Sequence, residues 1–413
     1  MRRFRPMRPF CSGMALLILF FALFSACSGR TGGKNEEAAD STAHGPADAA
    51  AAIDPAIALA KERAGQLAAA LDDRCLAAQV IITGIDGKGR LEPHMRTLLG
   101  ECPAGGIMLF RYNLDTEDEA IQRLTAESAA LIASENGQNI PPFVTVDHEG
   151  GSVNRFRSGL ASLPPAGSYW ELALTAGQDA ALNQIEADSF GAGQAIKRLG
   201  CNLNLAPVAE FINDDNRIFL EDRSYGPDPV FAGIAAAAFI RGMEQAGVLC
   251  AVKHFPGNAG ADPHRFPSVL RGDRVSLNEL TAPFAMLIHN GQARALMIAH
   301  SAVPAWDSEI ASLSSAIMGG WLRDELGFSG IIICDDFSMT AAGPGSRLKP
   351  EEAAVRALIA GADMVLVWPP DLRRTHRAIM AALDNGDLSR SRLQEAAQRI
   401  IFEKIRMELI DGE

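Results

Sequence analysis

The stretch LCAVKHFPGNAGADPHRFP, residues 249–267, begins as an apolar run, turns polar at Lys253 and His254, and then breaks into a loop of Gly, Asp, Pro and His. A short apolar run bounded by turn residues reads as a buried strand. The same arrangement recurs in QVIITG (79–84), GIMLF (106–110), PFVTVD (142–147), CNLNLAP (201–207), ALMIAH (295–300), GIIICDD (330–336) and ADMVLVW (362–368). Longer helical patterns lie between most of them, among them EDEAIQRLTAESAALIASENG (117–137), DPVFAGIAAAAFIRGMEQAG (228–247), SLNELTAPFAMLIHNG (276–291) and SSAIMGGWLRDELGFSG (314–330), several of them ending in a C-capping glycine. Eight runs alternating with helices suit a closed parallel (β/α)8 barrel in a single catalytic domain. The competing architecture, an open doubly wound sheet, lacks its G-x-G-x-x-G after the first run.

The polar residues favour the barrel. Asp147 and His148, Lys253 and His254, His300, and Asp335 and Asp336 all stand at the C-terminal ends of their runs. In a βα barrel those ends converge on one mouth, where active sites are built. A single such residue is as well explained by a helix cap or a solvated loop, but several together are not.

Composition and the N-terminus bound the rest. With 413 residues, 48% of them hydrophobic, the chain can bury a large core. Residues 1–26 read as an export signal: four arginines, an apolar run from Met14 to Phe24, then Ser25 and Ala26 before Cys27. The run is shorter than the ~20 apolar residues a membrane span needs, and Phe-Ser-Ala-Cys resembles a lipoprotein cleavage box, so Cys27 is expected to carry the lipid. Residues 27–55 read as a flexible tether and 56–413 as the barrel domain. Removing the signal takes the net charge from −12 to −16, which disfavours nucleic acid. Five cysteines remain after the lipid site, with no C-x-x-C, and read as buried free thiols; no metal or cofactor is expected.

The motifs VDHEGGSVNRF (146–156), LNLAPVAEF (203–211), EDRSYGPDP (221–229), KHFPG (253–257) and LRDELGFSGIIICDDFSM (322–339) together resemble glycoside hydrolase family 3, in collinear order, and within it the single-domain β-N-acetylglucosaminidases. The resemblance implies a TIM-type barrel that releases N-acetylglucosamine from oligosaccharides, often peptidoglycan fragments, with retention of configuration. It places the nucleophile on Asp335 rather than Asp336, a choice that strand alternation leaves open. An aspartate suits that task because a covalent glycosyl ester divides one difficult displacement into two easier ones. Sugar-binding positions fall on Asp147, Arg155, Arg223, Lys253 and His254. His148 stands where the family usually has Gln, and His300, Trp306 and Trp368 read as core packing or loop anchors.

Larger relatives place the acid/base on an additional C-terminal domain. Here the chain ends in helices soon after its eighth run, so the proton donor is expected from the barrel's own loops. The resemblance assigns it to His264, paired with Asp262. A histidine beside a carboxylate suits acid/base work near neutral pH, because the carboxylate sets the tautomer and stabilises the imidazolium. This loop departs from the family's usual Asp-Ser-His in having Pro263 in the middle, which biases Asp262 toward an extended backbone. The expected partners are an oligosaccharide and, through the lipid, a membrane. The readings set against an exported, lipid-anchored hydrolase are a glycoside phosphorylase and a catalytically weak sugar-binding lipoprotein.

Overall fold

The structure is a computed structural model describing residues 54–156, 161–260, 262–263, 265–339 and 348–410. The signal segment, Cys27, nearly all of the tether and His264 lie outside the described residues.

The eight apolar runs are the eight strands: β1 (Ile81–Gly84), β2 (Gly106–Leu109), β3 (Phe143–Val146), β4 (Leu203–Asn204), β5 (Leu249–Phe255), β6 (Ala295–Ile298), β7 (Ile331–Cys334) and β8 (Met364–Val367). Each pairs in parallel with the next, and β1 pairs with β8 to close the barrel. Every strand residue is buried, which explains why most strand positions are apolar and not only alternate ones, Thr83, Thr145, Asn204, Lys253 and His254 being the polar exceptions: one face meets the barrel interior and the other the helices.

Helices cover the outside. Asp228 caps the helix Pro229–Gln245 by accepting from the Phe231 N–H, and a proline at the first helical position supplies a φ suited to it. That helix packs closely on Gln178–Arg198. A Cβ at Gly242 would lie 2.4 Å from the Glu186 carbonyl oxygen, so only glycine permits this approach. The helical pattern 276–291 is two helices, Arg274–Leu280 and Ala282–His289, with Pro283 in the first turn of the second, where its missing N–H costs no hydrogen bond.

The opposite end of the barrel is closed by buried polar groups. Asp363 accepts from Arg323, Arg392 and Arg399, and Lys404, fully buried, donates to the Gly105 carbonyl at 2.9 Å. The cysteines at 75, 102, 201, 250 and 334 are buried free thiols, and burial pushes Cys75 up to about 12 and Cys102 to about 11.

Candidate active site

The loop after β3 is shaped by Gly150 and Gly151, both at positive φ. A Cβ on Gly150 would lie 2.4 Å from the Pro164 carbonyl oxygen, and one on Gly151 would lie 2.5 Å from an Asp222 carboxylate oxygen. The turn is pinned by Asp222, which accepts from the Ser152 N–H and hydroxyl at 3.1 and 2.7 Å. Asn204, the last residue of β4, exchanges hydrogen bonds of 3.0 and 2.8 Å with the backbone of His148.

The His148 ring is buried in this loop and does not line the pocket described below. Its Nε2 donates to the Ala161 carbonyl and its Nδ1 accepts from the Arg155 N–H at 3.1 Å. Burial pushes its pKa down to about 4, so it is neutral over the physiological range. It thereby holds the segment that delivers Arg155.

At the mouth, Lys253 sits between two carboxylates. Its Nζ is 2.6 Å from Glu149 Oε1 and donates to Asp147 Oδ1. Arg223 grips Glu149 with two hydrogen bonds, of 2.7 and 2.9 Å, and Arg155 donates to Asp147 at 2.9 Å. Burial would raise the Glu149 pKa, but Arg223 and Lys253 outweigh it and hold the carboxyl well below the usual range. Burial likewise favours neutral Lys253, yet Asp147 and Glu149 raise its pKa, so the ammonium persists although only 3% of the side chain is exposed.

Lys253 and His254 are consecutive, and regular strand alternation would send one of them away from the mouth. The pairing of β5 with β6 shifts register between Val252 and Phe255, and at this irregularity both side chains reach the same pocket. His254 is oriented from behind by Glu210, whose Oε1 accepts from Nδ1 at 2.7 Å. Glu210 also accepts from the Asn258 N–H at 2.6 Å, which ties the start of the following loop to the same carboxylate.

Asp335 emerges from the end of β7. Its Oδ1 accepts from the Asp336 N–H at 2.9 Å. Burial would raise its pKa, but His254, His300, that N–H and Lys253 lower it below the ordinary value, so the carboxylate is ionised at neutral pH. Asp336 faces a different set of groups. It accepts from the Ser338 N–H and hydroxyl at 2.9 and 2.7 Å and from the Trp368 indole N–H. His300 is buried and braces this turn, with Nδ1 2.7 Å from the Ser312 hydroxyl and Nε2 donating to the Asp336 carbonyl at 3.1 Å.

These groups surround a central pocket walled by Asp147, Arg223, Lys253, His254, Asn258 and Asp335, with Met108, Met297 and Leu366 among its apolar lining. Six expected residues are thus brought to one place: five border this pocket, and Arg155 and Asp335 border a second cavity that adjoins it. From the loop after β5, Pro263 lines the central pocket, and Asp262, half-buried, has Oδ2 3.8 Å from Arg265 Nε. Trp306 packs on Trp321 with ring centroids 4.5 Å apart, as a core anchor. Trp368 anchors the loop after β7 through its indole N–H on Asp336, and it also lines the second cavity, 37% exposed. Among the described residues no group of three or more His, Cys, Asp or Glu side chains is arranged to hold a metal ion.

Glu149, Glu210 and Asn258 were not singled out from the sequence. The first two lie inside recognised motifs, yet nothing local distinguishes Glu149 from a loop carboxylate or Glu210 from a solvated one.

A closed parallel barrel whose strand ends gather fixed cations and carboxylates around a pocket at the mouth is the architecture of a barrel glycoside hydrolase. The Glycosyl hydrolase family 3 N terminal domain matches residues 62–402, and this chain belongs to that family. The β-hexosaminidase of Methylococcus capsulatus is 32% identical over 306 residues, covering 73% of this chain and 85% of that protein. That of Idiomarina loihiensis is 31% identical over 330 residues, covering 74% and 94%. Among solved structures, a family 3 β-N-acetylglucosaminidase from Paenibacillus superposes with a TM-score of 0.75 at 30% identity, covering 83% of this chain and 64% of that one. NagZ from Neisseria gonorrhoeae, in complex with N-trifluoroacetyl-D-glucosamine, gives 0.67 at 28% identity, covering 78% and 89%. The chain is therefore a glycoside hydrolase with β-hexosaminidase relatives.

Proposed function

We propose that this protein is a retaining exo-β-N-acetylglucosaminidase acting on chito-oligosaccharides or peptidoglycan fragments. The observation that carries the reading is Asp335: an ionised carboxylate at the end of β7, on the wall of a pocket that Asp147, Arg223 and Lys253 also line. Fixed donors and acceptors of this kind pair with sugar hydroxyls and reject ligands that leave them unpaired.

In the proposed mechanism Asp335 attacks the anomeric carbon as the bond to the leaving oxygen breaks. His264, oriented by Asp262, gives that oxygen its proton. The resulting glycosyl-aspartate is then hydrolysed by a water whose proton returns to His264, and two inversions give net retention. The Asp336 N–H and the buried Lys253 ammonium favour its ionised form, the one that attacks.

The test is incubation with aryl β-glycosides of N-acetylglucosamine, glucose and N-acetylgalactosamine, with and without phosphate. The reading expects preference for N-acetylglucosamine and free sugar as product. Glucose preference overturns the substrate assignment, and sugar 1-phosphate in phosphate buffer overturns hydrolysis.

The run from Met14 to Phe24 followed by Cys27 supports export and lipid anchoring in bacteria. Incorporation of labelled fatty acid into the full chain, lost in Cys27→Ser, is the expected result; continued labelling of that variant places the anchor elsewhere.

A further inference from the structure

Three thioethers line the central pocket: Met108 from β2, Met297 from β6 and Met339 from the loop after β7. In the closed order of eight strands β2 and β6 stand opposite each other, so methionines reach the pocket from both sides of the barrel. Met108 and Met339 also border the second cavity, as Asp335 does.

These methionines differ from those that build the core. Met95, Met243, Met318 and Met364 are 0% exposed, whereas Met108, Met297 and Met339 keep 4, 3 and 7% of their surface open. A pocket that admits a sugar ring also admits a molecule as small as a peroxide. The barrel's thiols do not compete for it. All five are buried, and burial holds each in its protonated form, with Cys75 pushed up to about 12 and Cys102 to about 11. The thiolate is the reactive form of a cysteine, so a raised pKa suppresses it. A thioether has no proton to lose, and its lone pair is available at any pH.

We propose that Met108, Met297 and Met339 are an oxidation site through which a peroxide disables the sugar pocket. The sulfur lone pair takes one oxygen of the peroxide as the O–O bond breaks. Water leaves and the thioether becomes a sulfoxide; sulfur gives up two electrons and the peroxide gains them. The new oxygen is a hydrogen-bond acceptor in a wall that already holds Asp147 and Asp335. The donors around it are committed: Lys253 to Asp147 and Glu149, Arg223 to Glu149, and Arg155 to Asp147. The sulfoxide oxygen therefore stays unpaired or draws a cation off its carboxylate, and both cost free energy in a buried site. The oxidation rests on the pocket alone, while its effect on turnover rests on the proposed glycosidase reading.

The test treats the full-length protein with graded hydrogen peroxide, at doses that leave the circular dichroism unchanged. Peptide mass spectrometry maps sulfoxide on each methionine, with and without saturating N-acetylglucosamine. Met108, Met297 and Met339 are expected to oxidise about tenfold faster than the four core methionines, because susceptibility follows exposure. The sugar is expected to slow these three and to leave the partly exposed Met407 unchanged. In parallel, kcat/KM on the nitrophenyl β-glycoside of N-acetylglucosamine should fall about tenfold or more, the equivalent of one buried acceptor left unpaired. A variant combining Met108→Leu, Met297→Leu and Met339→Leu keeps the wall apolar and should retain its own starting activity through the dose that disables wild type. The three single variants are carried alongside, so that an inactive triple still leaves retained activity readable. Oxidation of the three no faster than of the core four overturns the site, as does an absence of protection by the sugar in active enzyme. Equal fractional losses in wild type and the Leu variants overturn the link to turnover. Untreated wild type without activity overturns the glycosidase reading instead, and the comparison among methionines then still decides the oxidation site.

Discussion

Glu210 accepts a hydrogen bond from Nδ1 of His254 at 2.7 Å, and this pairing assigns the two nitrogens of a ring that stands at the mouth beside Asp335. With Nδ1 engaged as donor, Nε2 is left for the pocket. Glu210→Gln replaces the carboxylate with a neutral amide that can present either a carbonyl or an N–H to the ring. A hydrogen bond to a charged group contributes about 1.5–3 kcal/mol. The expected loss in kcat/KM is therefore roughly 10- to 100-fold, with circular dichroism unchanged. Full activity in the variant would make Glu210 only an anchor for the Asn258 loop.

Asp335 and Asp336 are adjacent yet differently engaged. Asp335 lines the central pocket, and Asp336 is occupied by Ser338 and Trp368. Asp335→Asn is expected to abolish turnover, whereas Asp336→Asn leaves measurable activity. A fluorosugar with a good leaving group should label the peptide carrying Asp335; mass spectrometry placing the label on Asp336 would reverse the assignment.

His264 is tested by the basicity of the leaving group. A nitrophenolate departs without a proton, whereas a sugar hydroxyl does not. His264→Ala should slow disaccharide hydrolysis by about 10²- to 10⁴-fold while sparing formation of the glycosyl-enzyme from a nitrophenyl substrate. Because deglycosylation needs the same imidazole as base, the nitrophenyl substrate should give a burst followed by slow turnover. Equal losses on both substrates with no burst would remove His264 from the acid/base role.

Lys253 separates two carboxylates at the mouth, and Glu149 is almost fully buried. Lys253→Met leaves Asp147 and Glu149 with only their arginines, and breaking a buried ion pair costs about 3–5 kcal/mol. The depressed Glu149 pKa means that its contribution to stability is present above the ordinary carboxylate range and is lost as pH falls through its folded value. Denaturant titrations should show the variant less stable at neutral pH, with the difference narrowing as pH falls through the carboxylate range. Equal stability of the two proteins would contradict the ion-pair account.

His148 links stability to pH in a higher window. Its folded pKa of about 4 lies below the unfolded value near 6.5, so between these values the unfolded chain holds a proton that the folded chain does not. Stability is therefore greatest above about pH 6.5 and declines toward pH 4, with a share from His148 of order 3 kcal/mol. Burial lowers His300 and His376 as well, and they act in the same direction. In His148→Gln the amide can donate to Ala161 and accept from Arg155, so the slope of stability against pH between 4 and 6.5 should shrink while neutral-pH stability changes little. An unchanged slope would exclude His148 as a source of it.

Much of this architecture is legible in the chain itself. All eight strands lie in the apolar runs, because a strand of a parallel barrel is covered on both faces and is apolar at most positions instead of at alternate ones. Asp147, Lys253, His254 and Asp335 are legible for a related reason: chemistry at a barrel mouth must stand at the C-terminal ends of strands, where apolar runs stop. The resemblance of the motifs to family 3 then distinguishes Asp335 from Asp336, which periodicity does not.

What the tertiary structure alone decided is which of these groups meet. Arg223 and Glu149 are 74 residues apart, and Lys253 and Asp147 are 106 apart. Their pairing depends on closure of β1 on β8, on the register of each strand pair and on the slip in β5 that turns two consecutive side chains to one pocket. The same holds for Glu210 behind His254, His148 inside its loop and Trp368 on Asp336. In each case the local sequence specifies a side chain and a strand end, while its partner is chosen by a contact across the barrel. A carboxylate or an indole in a loop has the same local signature whether it faces water, a cation or a sugar, so only the folded arrangement separates these roles.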